Sequence, residues 1–533
     1  MFVNSYKFLL RRVSNKTTLI LLSIILIGAF LRLYNFPELL RFNNDQVRDA
    51  QIIDEMRQGE IPLLGPKAGG TKFNLGPAFY YLEYLSGAIF GFTPSGIAFF
   101  IPILSTISIY LFYLLFKKIF PTSISLILTF LCAISFYALK YAHFAWNPNV
   151  IPFFVFSFLL LLNKIIHYSY QDAINRASTY RDFIFLGVII GIGIQLHTTL
   201  LILMPLFTFL TLAYLYLKKG KINFKKILVL FCIIIFLNLP FIYEAANNGG
   251  KNIQDFIAGT QTKTESKLSI LKNISNTAQF FLQGSAYHLS GIEPQKNWLN
   301  IIKLFKSKNV AEITLFLSSL LIFLSGVYLI FKKNKLTKSK NTLYLLISFV
   351  TLSFLLLIPV GNELNIRFFI IIQFLPYLLL GFIIQVLLNS SLKKVYLVPI
   401  TFFILLVSFF NLLNYYKTYN LDSYTTSESS YGGISLGELN EVCEHIKKIS
   451  QESNLEKIYI ENFKFKRSLE YICNKEDIRS IFLSQDKIKD QEIFFVIIEN
   501  KNLDKNIEKY KENFELKNSI KIKRFVLLNF NNK

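Results

Sequence analysis

Within residues 41 to 50, Arg-Phe-Asn-Asn-Asp-Gln-Val-Arg-Asp-Ala, two carboxylates, an amide and an arginine stand close together, just beyond an apolar run that starts near Thr17. Asp45 has the type for a general base toward a hydroxyl. Gln46 can hydrogen-bond a hydroxyl but cannot take its proton, and the planar fork of Arg48 matches phosphate oxygens. Asp49 is a second carboxylate, and Lys67 and Lys72 add cations in the same loop. Farther on, His143, Asn147 and Asn149 share the segment His-Phe-Ala-Trp-Asn-Pro-Asn, His197 lies in Gln-Leu-His-Thr-Thr, and Glu363 with Arg367 precedes another apolar run. Each has a plainer reading. Asp45, Asp49 and Asp54 suit the capping and solvation of a short interfacial helix, with Arg48 paired locally. Asn-Pro-Asn is turn chemistry, His197 suits a structural hydrogen bond, and Arg367 suits an interfacial anchor.

What must position these groups is a membrane. Hydrophobic residues make up 53% of the chain, Phe alone numbers 54, and apolar runs of helix-spanning length recur. The candidate spans are about 17–36, 96–116, 122–142, 150–163, 183–197, 200–217, 227–243, 311–331, 342–359, 367–389 and 395–416, which predicts a polytopic α-helical membrane protein of about eleven transmembrane helices. Residues 76–92, rich in Tyr and interrupted by Glu83, read instead as an interfacial helix.

The formal net charge of +23 suggests nucleic acid until it is located. Residues 421–533 hold 19 basic and 19 acidic side chains, so the whole excess lies in the membrane part. There the basic residues fall in alternate loops: Lys7, Arg11, Arg12 and Lys16; Lys117 and Lys118; Lys164, Arg176 and Arg181; Lys218 to Lys226; Lys332 to Lys340; Lys393 and Lys394. With eleven spans all of these share one side, which the positive-inside rule makes cytoplasmic. The expectation is therefore an integral plasma-membrane protein with its N-terminus inside, its C-terminal segment outside, membrane lipids around it and no nucleic-acid partner. No cleavable signal peptide is evident in the first apolar run, which reads as a retained anchor.

Two compositional units follow. The membrane body, 1–418, carries two long outer loops, 37–95 and 244–310, the second with amphipathic stretches Leu268 to Phe281 and Trp298 to Phe305 suited to a membrane surface. A polar linker, 419–433, leads to 434–533. There Leu436, Leu439, Val442, Cys443, Ile446 and Ile449 repeat at helical spacing, while 458–460, 493–498 and 525–530 read as strands, predicting a small extracytoplasmic α/β domain. Cys443 and Cys473 fall outside, where a disulfide is chemically open to them, although free buried thiols are the simpler reading of two cysteines.

Asp45-x-x-Arg48-x-Ala50, the glycines 59, 65 and 76, and Gly76-Pro-x-x-Tyr-Tyr-Leu82 together resemble the first extracytoplasmic loop of the C-type (GT-C) membrane glycosyltransferases, the superfamily of protein O-mannosyltransferases and lipid A aminoarabinose transferases. Looser similarity continues through His143 to Asn149 and Arg367-Phe-Phe with Pro376. The resemblance implies transfer of a sugar from a polyprenyl-phosphate carrier to an acceptor hydroxyl on the outer face, with inversion, Asp45 as base, and Arg48, Lys67, Lys72 and Arg367 toward phosphate. His143, Asn147, Asn149, His197, Gln46, Asp49 and Glu363 join the candidate substrate contacts. The acceptor stays open between a lipid-linked glycan, a cell-wall polymer and a protein. Where family members carry Asp-Glu, this chain has Asp45-Gln46, which removes the second carboxylate from any metal contact there; no cofactor is assigned, and a divalent cation stays open but is not indicated, because no outer-loop cluster has decisive ligand spacing.

Two rivals share the membrane architecture. A transporter or flippase of lipid-linked sugars tends to show internal repeats and ionisable or Gly/Pro-broken helices near the midplane; here no repeat is evident and the charges concentrate in loops rather than mid-span. A glycan polymerase or ligase differs in taking a pyrophosphate-linked donor.

Overall fold

The computed structural model describes residues 16–170, 179–219, 223–264, 269–293, 310–419, 433–453, 455, 457–461, 463–488, 490–499, 507–510, 513–523 and 525–532. Lys7, Arg11, Arg12, Arg176, the stretch Trp298 to Phe305 and nearly all of the linker lie outside the described residues.

Seven single helices are long and apolar enough to cross a membrane: Lys16–Leu33, Pro94–Phe116, Asn147–His167, Thr198–Lys218, Ile313–Leu336, Lys340–Val360 and Lys393–Tyr419. Three further predicted spans are bent pairs, Thr122–Ile134 with Phe136–Ala142, Phe224–Leu237 with Leu239–Asn247, and Ile366–Ile372 with Leu375–Leu388, broken by 50°, 61° and 59°. Length and composition thus account for up to ten spans among the described residues rather than eleven. The eleventh predicted span is Tyr180–Gly193. At about 1.5 Å per residue it covers about 21 Å, short of the roughly 30 Å hydrocarbon core. It nonetheless joins opposite ends of the body. Asp182 in its first turn pairs with Lys164 at 2.5 Å, and Gln195 just past its other end binds the first outer loop.

Aromatic packing fills the interior. Phe112 stacks on Phe116 of its own helix at 3.9 Å and meets Tyr377 of a neighbouring helix edge-on at 5.4 Å, and the Tyr377 hydroxyl lies 3.2 Å from His288 Nδ1. The helix Ile270–Ser290, in the stretch expected on the membrane surface, instead buries its second half. Phe280, Phe281 and residues 284–290 are enclosed, with Ser135 Oγ donating to the His288 carbonyl at 3.1 Å. In the stretch that suggested a lipid surface, Ile270, Leu271 and Ile274 stay exposed, while Phe280 and Phe281 meet protein.

The C-terminal part builds a five-stranded sheet of β1 Ile458–Glu461, β2 Ser480–Leu483, β3 Ile493–Glu499, β4 Phe514–Ile522 and β5 Phe525–Asn532, in the order β2-β1-β3-β5-β4. β1 pairs in parallel with β2 and β3, and β5 runs antiparallel between β3 and β4. The edges β2 and β4 escaped sequence reading because one has four residues and the other slips register between Leu516 and Asn518. Helix Leu436–Glu452 starts at a capping box of Ser435 and Glu438 and buries all six apolar residues of the predicted stripe.

Cys443 and Cys473 form a disulfide joining that helix to Lys466–Lys475, with Cα atoms 5.5 Å apart. This corrects the expectation of free thiols, since burial alone did not reveal that two helices would set the pair face to face. Closing a loop of 30 residues is worth about 3 to 4 kcal/mol on the chain-entropy account. Cys443→Ser with Cys473→Ser is expected to lower the unfolding temperature of the oxidised full chain to that of the reduced wild type, read by thermal unfolding with and without reductant.

The sheet domain is stitched to the loop that follows the first span. Phe42 N–H donates to the Ile434 carbonyl at 2.9 Å and Leu436 N–H to the Leu40 carbonyl at 2.7 Å. Tyr471 Oη donates to Asp54 at 2.8 Å, with Lys475 on the same carboxylate.

Candidate active site

The loop helix Asn44–Arg57 begins where Gln46 Oε1 accepts from the Asn43 N–H at 3.0 Å, one half of a capping box. The other end of the same amide, Nε2, donates to the Ala145 carbonyl at 2.5 Å. Gln46 is buried and both its polar atoms are spent on the protein, which corrects its assignment to a substrate hydroxyl. Its work is to fix the start of this helix against residues 143–150, and Asp45 is thereby presented outward, its side chain 55% exposed.

Arg48 divides its guanidinium between two acids. Nη1 reaches Asp45 Oδ1 at 3.2 Å, while Nε and Nη2 donate to Asp49 Oδ1 at 2.9 and 2.7 Å. Asp49 is 1% exposed and its Oδ2 has no partner. Packed on this helix is the aromatic helix Ala78–Phe90, which buries Tyr80 and Glu83 one turn apart. Burial pushes both Asp49 and Glu83 above the ordinary carboxylate range, Asp45 adds to the rise at Asp49 and Asp49 to the rise at Glu83, while Arg48 works the opposite way on both. The start of the aromatic helix is held by Gln195, whose Oε1 accepts from the Ala78 N–H at 3.1 Å and whose Nε2 donates to the Gly191 and Leu237 carbonyls. A Cβ at Gly76 would overlap that amide, so glycine is required by close approach.

Residues 143–150 form the hub between this acid cluster and a cationic one. Ala145 receives Gln46, Trp146 lies under the Arg367 guanidinium at 5.0 Å, and Asn147 Nδ2 donates to the Leu196 carbonyl at 2.5 Å. Asn149 Nδ2 binds the Phe144 carbonyl, and its side chain lines a small internal pocket with Arg32, Ser108 and Gln373. His143 is fully buried, its Nδ1 paired with the Leu139 carbonyl at 3.0 Å and its ring stacked on Tyr419 at 4.5 Å. These bonds give His143, Asn147 and Asn149 structural work, while His143 Nε2 and Asn149 Oδ1 are buried without a partner, so a substrate contact at these residues stays a proposal. Turn-forming polar side chains bind nearby carbonyls, and here they shape the hub.

On the far side of the hub, Asn365 Oδ1 caps the Arg367 N–H at 3.2 Å. The guanidinium lies between Trp146 and Phe368, 5.0 and 5.1 Å from the ring centroids, and its buried Nε has no partner. His197 Nδ1 accepts from the Thr199 N–H at 3.1 Å, and the ring meets Phe368 edge-on at 5.2 Å. Burial, then the nearby charges of Arg367 and Lys263, push His197 down to about 4, so the imidazole is neutral and carries its proton on Nε2. Lys263, which sequence reading missed, reaches back to the Gly69 carbonyl at 2.6 Å. Burial lowers it, exposed Glu363 opposes that, and Arg367 adds to the lowering. Lys67 and Lys72 are exposed on a short turn that is closed by Lys67 and Asn74. Lys263, rather than these two, shares the electrostatic neighbourhood of Arg367.

Trp146, Tyr80, Glu83 and Lys263 therefore join the candidate residues. Glu83 left a signal, a lone acid in an apolar aromatic helix; Lys263 left none, since it meets Gly69 across 194 positions. Among the described residues no group of three or more His, Cys, Asp or Glu side chains is placed to hold a metal ion.

Residues 74–243 match the model of the family described as dolichyl-phosphate-mannose-protein mannosyltransferase. Among curated proteins none matches the sequence. Solved structures to which the chain is similar include the Archaeoglobus fulgidus oligosaccharyltransferase in complex with Zn and sulfate, at 15% identity and a TM-score of 0.48, covering 87% of this chain and 62% of that one. ArnT from Cupriavidus metallidurans bound to undecaprenyl phosphate is 10% identical with a TM-score of 0.44, covering 96% and 97%. The Saccharomyces cerevisiae protein O-mannosyltransferase Pmt1-Pmt2 complex bound to the sugar donor is 14% identical with a TM-score of 0.33, covering 43% and 33%. The chain thus spans 62% of the length of the archaeal enzyme.

Proposed function

We propose that this chain is a membrane glycosyltransferase of the C-type superfamily, a reading supported by its family match over residues 74–243, and that it moves a sugar from a polyprenyl-phosphate carrier to an acceptor hydroxyl on the outer face of the membrane. The observation that carries the reading is the pairing of an exposed, arginine-held carboxylate, Asp45, next to Gln46 anchored on Ala145, with an arginine whose buried Nε is unpartnered, Arg367, resting on Trp146.

In this reaction Asp45 takes the proton of the acceptor hydroxyl as its oxygen attacks the anomeric carbon. The bond from that carbon to the phosphate oxygen breaks, and the lipid phosphate leaves with the electron pair. One displacement inverts the anomeric centre. The leaving group is already good, so the protein's tasks are to aim the hydroxyl and hold the departing charge. Arg367 and Lys263 are the cations for that phosphate, with the neutral His197 Nε2–H as a further donor. Lys67 and Lys72, on the exposed turn, serve the approach of the anionic carrier. Arg48 keeps Asp45 oriented.

The outer-face assignment rests on the lysine-rich helix ends lying opposite the ends that carry Asp45, His197 and Arg367 in the span order, with Tyr180–Gly193 counted as a crossing. The C-terminal sheet domain then stands outside, beside the acceptor.

The test is sugar transfer by the full chain in nanodiscs, offered a panel of polyprenyl-phosphate sugars and polyprenyl-pyrophosphate glycans with a mixed lipid, polymer and protein acceptor extract. Transfer from the monophosphate donors is expected. Transfer from pyrophosphate donors alone establishes the polymerase or ligase, and lipid flipping without sugar transfer establishes the transporter.

A further inference from the structure

The aromatic helix Ala78–Phe90 buries Glu83 to 1% exposure and leaves its Oε2 without a partner. The loop helix buries Asp49 to the same degree, with Oδ2 equally unpartnered. Tyr80, one turn from Glu83, faces Asp49 and Arg48 as well. Two buried carboxylates, each with an unpartnered oxygen, therefore sit on packed helices within electrostatic reach of one another and of the cation Arg48.

The charges facing this pair can be named from each packed element. Arg48 and Asp49, with Asp45 behind them, come from the loop helix, and Tyr80 comes from the aromatic helix itself. Arg57, at the end of the loop helix, lies over the Phe92 ring at 4.7 Å and pairs with Asp54. The neighbouring helices Pro94–Ala98 and Phe100–Phe116 carry no Asp, Glu, Lys, Arg or His. Arg48 gives Nε–H and one Nη2–H to Asp49 and one Nη1–H to Asp45, and Glu83 Oε2 receives no hydrogen bond from it. A buried charge without a partner neutralises instead.

We infer that Glu83 is a positioning residue for transfer: it is kept as the neutral acid, the Asp49–Glu83 pair holds one negative charge, and Arg48 is left with one arm free to hold Asp45. Ionising Glu83 puts a second anion in competition for Arg48 and draws that arm off the base. Burial, then the charge of Asp49, both favour the proton on Glu83, and Arg48 opposes them. The inference rests on Asp45 being the base, yet the protonation of Glu83 is measurable apart from it.

The experiment is an infrared pH titration of the full chain in detergent, following the C=O stretch of protonated carboxylic acids in wild type, Glu83→Gln and Asp49→Asn. The expected result is a band in wild type at mildly alkaline pH that is missing in E83Q. In D49N, where the neighbouring anion is gone, the band titrates away about one pH unit or more lower. Where transfer is assayed, E83Q keeps the wild-type KM for the donor and its alkaline limb moves up in pH. Absence of a band that E83Q removes overturns the inference even if transfer is robust, as does an unchanged alkaline limb in a folded E83Q chain. A band with no transfer by wild type removes the function of Asp45 and leaves the proton on Glu83.

Discussion

Asp45→Asn yields a folded protein that transfers sugar about 10²- to 10⁴-fold more slowly than wild type, the range a positioned general base supplies. The side chain is 55% exposed and its recorded contact is the 3.2 Å bond from Arg48, which Asn keeps through its own Oδ1. Loss of stability is therefore not the route to loss of rate. The measurement is kcat with saturating donor, alongside a thermal melt. Equal transfer by a folded variant removes Asp45 from the mechanism and turns attention to Asp49. Asp49→Asn is a different experiment, because it strips Arg48 of its buried anchor and loosens Asp45 indirectly.

Arg367→Ala carries the second large effect, a KM for the carrier-linked donor raised by about 10- to 100-fold, corresponding to roughly 1.5 to 3 kcal/mol for hydrogen bonds to a charged group. Within the protein the guanidinium rests on Trp146 and Phe368, while its Nε bonds nothing, so the truncation costs folding little. Arg367→Lys restores the charge without the planar fork and is expected to recover only part of the affinity. Lys67→Ala and Lys72→Ala serve as contrasts, with small effects that vanish at high salt, since both are exposed. A rise in KM from these two larger than from Arg367→Ala would transfer the phosphate to the turn.

Apolar run length located the helices of the body, because a bilayer sets that length directly. It did not reveal where spans break. Pro240 and Pro376 open the second halves of two bent pairs and were legible in retrospect, whereas the break at Ser135 has no proline and is held by His288 from a distant helix. Within the site, the order Asp45, Arg48, Asp49 announced a charged helix start, but spacing was silent on which acid would be buried. Gln46, His143 and Asn147 were located near the right place without the structural work they do there: side chains suited to sugar hydroxyls suit backbone carbonyls equally well. Glu83 was visible as an anomaly and was used as evidence of depth alone. Lys263 and the Cys443–Cys473 bond depend on contacts between segments far apart in the chain, for which one sequence carries no periodic signal.

The hydrogen bonds from Phe42 to Ile434 and from Leu436 to Leu40 have a meaning for biosynthesis. The strand-like partner that steadies the approach to Asp45 is synthesised some 390 residues after it. Until that partner emerges the loop has no such support. Docking of the sheet domain therefore doubles as a maturation step for a segment made long before it.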